Sequence, residues 1–144
     1  MQKTLVLLKP DAIERGLAGA VLARFEAAGL RLENCRQVRP TLSQLELHYA
    51  DLRSVNERAF RRTTTSLENR PFVAVILAGS NAIRKVRAMT GPTDPVKAPA
   101  GTIRGDYGCD TIEQADAEDR ATDNLIHAAD SEASVARETA IWFG

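Results

Sequence analysis

The chain has 144 residues, is 44% hydrophobic and 26% charged, and balances 19 Lys+Arg against 19 Asp+Glu. This length suits a single domain over residues 1–144, able to bury a core without disulfide or metal staples. Zero net charge excludes a global field for nucleic acid or an anionic membrane, so any anion site must come from local clustering.

The N-terminal MQKTLVLLKPD contains an apolar run closed by Lys9 and Pro10. It is too short for a signal-peptide core or a membrane span, and a soluble, cytoplasmic protein is expected. TLVLLK (4–9) reads as a buried strand, stopped by Pro10. In 15–29, Leu17, Val21, Phe25 and Ala28 recur at helical spacing and Gly29 supplies the stop. LRLENCRQV (30–38) alternates like a strand, and TLSQLELHYADL (41–52) reads as one helix started by Thr41 or Ser43.

Residues 53–70 are expected to be partly helical, with Arg53, Arg58, Arg61 and Arg62 forming a basic patch. PFVAVILAG (71–79) is the clearest strand, apolar enough for burial on both faces. NAIRKVRAMTG (81–91) follows as a helix ended by Gly91. A long loop over 91–108 then holds three of the six prolines. Residues 110–123 carry six acids and one arginine; NLIH is a candidate short strand, and 130–143 is the last helix, with Asp130 or Ser131 as N-cap. The order β-α-β-α(α)-β-α-loop-β-α predicts a ferredoxin-like α/β sandwich, a four-stranded antiparallel sheet covered by helices.

Two constellations carry possible chemistry. Val135, Glu138, Thr139 and Trp142 share one face of the last helix, so Glu138 is a carboxylate on a stripe otherwise suited to burial. His127 lies at the preceding strand–helix junction, and an imidazole held by such a carboxylate would have its tautomer fixed. Spacing alone leaves a rim glutamate with no role as the more common alternative. Lys9, Arg87 and Arg104 come from three different elements, and their convergence would make a phosphate clamp, with Thr93 and Thr102 adding hydroxyls.

No Walker A motif and no G-x-S-x-G elbow occurs. Cys35 and Cys109 match no metal spacing, RGD (104–106) is incidental, and His48 reads as a satisfied histidine rather than a ligand.

TLVLLKPDAIERGLAGAVLARFEAAGLRL, HYADL, VRAMTGPTDP, GTIRGDYG, NLIHAADS and ETAIWF together resemble the nucleoside diphosphate kinase family, in that family's order and over nearly the whole chain. The resemblance implies transfer of a γ-phosphoryl group between nucleoside tri- and diphosphates, by ping-pong through a phosphohistidine. Mg²⁺ would ride on the nucleotide phosphates rather than on protein ligands. By motif position His127 is the nucleophile, Glu138 orients it, and Tyr49 stands beside it. Lys9, Arg87, Thr93, Arg104 and Asn124 hold phosphates and ribose, and Phe60 stacks on the base. The resemblance also implies a homo-oligomer built from dimers, with no membrane and no specific nucleic acid as partner.

The sequence departs from the family pattern at several points. HAADS replaces HGSDS, so Ala129 stands where a serine hydroxyl supports the histidine and glutamate, and slower phosphorylation is expected. The RPFF pattern after Tyr49 is absent, 110–123 is an insertion, and the chain stops at Gly144 without a longer tail. A non-catalytic nucleotide-binding module is the alternative that these departures favour. An RNA-binding relative is disfavoured by 5% aromatic content and the lack of an RNP1-like strand. The −5 insertion and the +3 stretch 53–62 either face each other, with Arg61 and Arg62 opposite Asp116 and Glu118, or are two independent solvated surfaces; the sequence leaves both readings open.

Overall fold

A computed structural model describes residues 1–144. Four strands, β1 (Gln2–Leu8), β2 (Arg31–Val38), β3 (Phe72–Gly79) and β4 (Ile126–Ala128), form one antiparallel sheet in the order β2-β3-β1-β4. Between them run α1 (Pro10–Glu14), α2 (Ala18–Ala27), α3 (Leu42–His48), α4 (Ala50–Val55), α5 (Glu57–Leu67) and α6 (Ala82–Thr90). After a 3₁₀ turn at Pro95–Lys97 come α7 (Ile103–Tyr107), α8 (Ile112–Ala117) and α9 (Glu132–Phe143). The architecture is the ferredoxin-like α/β sandwich. No helix is long and apolar enough to cross a membrane.

Alternation along the two central strands divides the core into two layers. Val6 and Leu8 of β1 join Val75 and Leu77 of β3 in packing on Val21, Phe25, Val86 and Ile103, from α2, α6 and α7. Leu5 and Leu7 join Phe72, Ala74 and Ile76 on the other face, against Leu45, Leu67 and Trp142 of α3, α5 and α9. The apolar run in β3 is therefore buried on both faces, as its composition predicts. β2 is different: none of its residues is fully buried, and its register on β3 slips between Leu32 and Asn34, so it is an exposed, irregular edge.

Helix punctuation follows local chemistry. Gly29 and Gly91 adopt φ of 86° and 91°, left-handed values that glycine reaches without a Cβ clash. The single helix expected over 41–52 is broken at Tyr49, whose φ −96° and ψ 18° end α3 and begin α4. A Thr41–Gln44 capping box fixes where α3 starts. The expected long loop 91–108 contains α7, nucleated where the Thr102 hydroxyl accepts from the Gly105 N–H at 2.9 Å. Helices of five or six residues are too short to show an apolar period in a sequence.

Candidate active site

Register places the histidine. On β4, His127 lies opposite Leu7 of β1, and Ile126 and Ala128 lie opposite Leu8 and Val6. With period two, Ile126 and Ala128 join the α2/α6/α7 layer, and His127 faces the layer that holds α9. Glu138 and Trp142, one helical turn apart on α9, are that helix's two buried residues. The imidazole Nε2 and Glu138 Oε1 are 2.7 Å apart. Donation from Nε2–H to the carboxylate leaves the ring's lone pair on Nδ1.

The same layer supplies a second imidazole. His48 is buried, packs edge-on against His127 at 4.4 Å between centroids, and accepts from Trp142 Nε1–H at 3.1 Å through its own Nδ1. His48 is thus a satisfied core histidine, as expected. It also walls the His127 ring, a role that spacing did not reveal. Burial, then the neighbouring His127, holds the His48 pKa well below the usual imidazole range. The Tyr49 ring stands edge-on to His48, and burial raises the phenol's pKa.

A cleft of about 370 Å³ opens in front of His127, lined by Lys9, Tyr49, Arg87, Thr93, Arg104 and Asn124 among others. Each cation is held by backbone carbonyls of the β4 region. Lys9 follows β1, and its Nζ donates to Thr122 O at 2.7 Å and Asn124 Oδ1 at 2.8 Å. Arg104 on α7 donates through Nε to Asn124 O at 3.1 Å, through Nη1 to Gly91 O at 2.9 Å and through Nη2 to Ile126 O. Arg87 on α6 reaches Ala128 O at 3.1 Å, and Asn124 Nδ2 reaches Thr93 O at 2.9 Å. Seven of the nine residues to which the resemblance gives a role thus line one cavity, and Glu138 stands behind His127.

Burial, together with this crowding of positive charge, shifts the titrations. Lys9 is lowered to about 8 by burial and by Arg104, against the pull of Asp11. Arg104 falls to about 10 through burial and Arg87. His127 is lowered to about 3, by burial first and then by Arg104, Lys9 and Arg87, so the ring is neutral throughout the physiological range. Glu138 is raised by burial.

The turn that delivers β4 is held by the Lys9-Pro10-Asp11 corner. Lys9 N–H donates to Leu125 O at 2.8 Å, and Leu125 N–H donates to Asp11 Oδ2 at 3.0 Å. Between those two bonds Leu125 takes a φ of 72°, which costs a branched residue on the order of 1 kcal/mol.

Phe60 is not in the cleft. On α5, Phe60, Thr64 and Leu67 point inward, with Phe60 3% exposed and the Arg53 guanidinium 5.1 Å from its ring centroid. The cleft-facing side of α5 carries Ala59, Arg62 and Thr63. Helical phase, invisible while the start of α5 was unplaced, decides this. The outer end of the cleft is aliphatic instead, with Leu52 and Val55 of α4 and Ile112 of α8. Sequence reading also missed Thr122 and Asn56, loop residues with no periodic signal.

Ala129 is fully buried, and its amide donates to Leu5 O at 3.0 Å. The second carboxylate oxygen of Glu138 lies 3.5 Å from Arg137 Nη2.

The family profile described as "Nucleoside diphosphate kinase" matches residues 2–144. The chain is 34% identical to a nucleoside diphosphate kinase of Pyrobaculum aerophilum, covering 99% of this chain and 95% of the relative. It is 40% identical to one from Nocardioides sp., covering 98% and 96%. Among solved structures it is similar to a transition-state mimic of nucleoside-diphosphate kinase from Borrelia burgdorferi with bound vanadate and ADP. That likeness has a TM-score of 0.94 and 34% identity, over 99% of this chain and 87% of the other. A halophilic nucleoside diphosphate kinase from Halobacterium salinarum in complex with CDP has a TM-score of 0.85 and 33% identity, over 99% and 87%.

Proposed function

Since the chain belongs to the nucleoside diphosphate kinase family, we propose that His127 is its nucleophile and the neighbouring cleft its nucleotide site. The protein is a phosphotransferase that moves the γ-phosphoryl group of a nucleoside triphosphate to a nucleoside diphosphate through a phosphohistidine. The observation that carries the assignment is the 2.7 Å bond from His127 Nε2 to buried Glu138, beside a cleft whose lining includes Lys9, Arg87 and Arg104.

In the first half-reaction the Nδ1 lone pair attacks the γ-phosphorus. The Nδ1–P bond forms as the bond to the β,γ-bridging oxygen breaks, and the diphosphate leaves with that electron pair. The ring gains positive character as it is phosphorylated, and Glu138 stabilises it through Nε2–H. Lys9, Arg87 and Arg104 neutralise phosphate oxygens, while Thr93 and Asn124 add neutral contacts to phosphate and ribose. A second diphosphate reverses the sequence and takes the phosphoryl group.

Mg²⁺ enters on the nucleotide. The cleft lining has three cations near His127, oxygen donors only from neutral side chains, and no carboxylate, a set that suits phosphates carrying their own metal. When bound, the ion supplies neutralisation of phosphate charge. His48, His127 and Glu138 bring ligand-type atoms within 4.8 Å of one another, but two nitrogens and one carboxylate, two of them already bonded together, are a poor match to Mg²⁺.

The base rests against the aliphatic pair Val55 and Ile112, 85% and 37% exposed on the cleft rim, rather than on Phe60. Contact without edge readout tolerates any base. A single cytoplasmic domain and a homo-oligomer built from dimers complete this reading; the unpaired outer edge of β2 supports self-association.

The test is intact mass after incubation with Mg-ATP and removal of nucleotide. One acid-labile phosphoryl group is expected on the wild type, discharged by GDP and missing from His127→Ala. Nucleotide binding without a phosphoenzyme would refute the nucleophile.

A further inference from the structure

The acidic insertion is a built element of the cleft. Asp110 and Arg120 close its two ends in a bidentate pair at 2.7 and 3.0 Å, which holds the Asp110 carboxyl down at about 2. Ala121 N–H, just beyond, donates to Ser66 Oγ on α5 at 2.9 Å. Within this closed segment α8 has six residues and one buried side chain, Ala115. A helix so short and so sparsely packed cannot hold its own position. Its polar ties must do so.

The tie between α8 and α5 is Asp116. Its carboxylate accepts from Arg58 Nη1 at 2.9 Å and from Arg62 Nη1, and Arg58 Nη2 also reaches its carbonyl at 3.3 Å. Arg58 and Arg62 are one turn apart and share a face of α5; Arg61 sits on the next face and pairs with Glu57 at 3.1 Å. Glu118 is taken by Arg120 at 2.9 Å. The contact between insertion and basic stretch therefore exists, but through Arg58 and Arg62 on Asp116, not through Arg61 and Glu118.

The Arg62 side chain is 8% exposed and lines the cleft, and its Nε has no partner. Without Asp116 it would be a buried charge with no counter-ion. Ile112, on the first turn of α8, lines the cleft together with Val55 of α4.

We propose that Asp116, gripped by Arg58 and Arg62, is a positioning residue that fixes α8 as the outer wall of the nucleoside subsite and so sets nucleotide affinity. This rests on the nucleotide reading of the cleft. The hydrogen bonds of His127, Lys9, Arg87 and Arg104 go to other groups, none of them Asp116, Arg58 or Arg62. Loss of the tie should therefore weaken the grip on the nucleoside and leave the grip on polyphosphate intact.

The experiment measures dissociation constants of ADP and of tripolyphosphate by calorimetry, for the wild type, Asp116→Ala, Arg62→Leu and the double variant, each checked for a native thermal transition. Asp116→Ala should weaken ADP about tenfold, on the scale of a partly buried ion pair, and leave tripolyphosphate unchanged. The double variant should be no weaker than the worse single one, Asp116→Glu should recover most of the loss, and Arg61→Gln should bind as the wild type does. A folded Asp116→Ala that binds ADP normally overturns the proposal, as does equal loss of ADP and tripolyphosphate. A wild type that binds ADP no better than tripolyphosphate would instead refute the nucleoside reading of the cleft, and the proposal with it.

Discussion

At the scale of single residues the site is a problem in proton placement. The His127 ring stays neutral down to about 3, so protonation of an imidazole near its usual pKa cannot set the acid limb of the rate. Glu138 sets it. Burial raises this carboxyl, and once protonated it donates to Nε2, drives the ring proton to Nδ1 and removes the nucleophilic lone pair. Phosphorylation should therefore rise as pH rises through the elevated Glu138 pKa. Above that, kcat/KM should fall as pH passes about 8, where free-enzyme Lys9 loses its charge. Saturating nucleotide holds the ammonium protonated, so kcat should be flat there. Glu138→Gln should abolish the acid limb and slow phosphorylation by about 10–100-fold, the worth of one hydrogen bond to a charged group. A stopped-flow pH series on both proteins reads all of this; an acid limb that persists in Glu138→Gln would contradict it. The grouping of Lys9, His127 and Glu138 was legible through the family motifs that hold them, because spacing alone favoured a rim glutamate with no role. Phe60 was misread because a lone aromatic says nothing about which side of its helix it occupies.

At the scale of elements, short helices carry the clamp. Arg104 depends on α7, and α7 depends on Gly105, where an added Cβ would lie 2.0 Å from the Pro99 carbonyl oxygen. Gly105→Ala should cost about 2–3 kcal/mol of stability, as overpacking does, and should raise the KM for nucleotide because the guanidinium is displaced. Thermal melts and steady-state kinetics check both; an unchanged melting temperature would mean that the loop relaxes freely. Long elements were readable in the sequence, β3 from its unbroken apolar run and α6 from its period and Gly91. The break at Tyr49 and helices α7 and α8 were not. Their starts are set by side-chain caps such as Thr102 and Thr111, within segments too short for periodicity to register.

At the scale of the whole molecule, the sheet is covered on both faces at its centre and exposed at edge strand β2. The α/β order was legible because both layers of the core leave their signature in β1 and β3. Which strand ends up outermost was not, because edge position is a property of the sheet order and not of a local pattern. β2 exposes Leu32 at 41% along an unpaired backbone, the kind of edge that a second copy can cover. Light scattering should give a dimer or a multiple of it. Asn34→Pro, next to the register slip, should shift that mass toward the monomer; a wild-type monomer at micromolar concentration would refute self-association through this edge.

The cleft wall with four cations and no carboxylate has one more consequence. An apo site of this sign draws small counter-ions as readily as substrate. Sulfate or inorganic phosphate, at the tens of millimolar usual in purification buffers, should behave as a competitive inhibitor, raising the apparent KM and leaving kcat alone. Rates measured in such buffers would then report the buffer's occupancy of the site as much as the enzyme's own preference for a nucleotide.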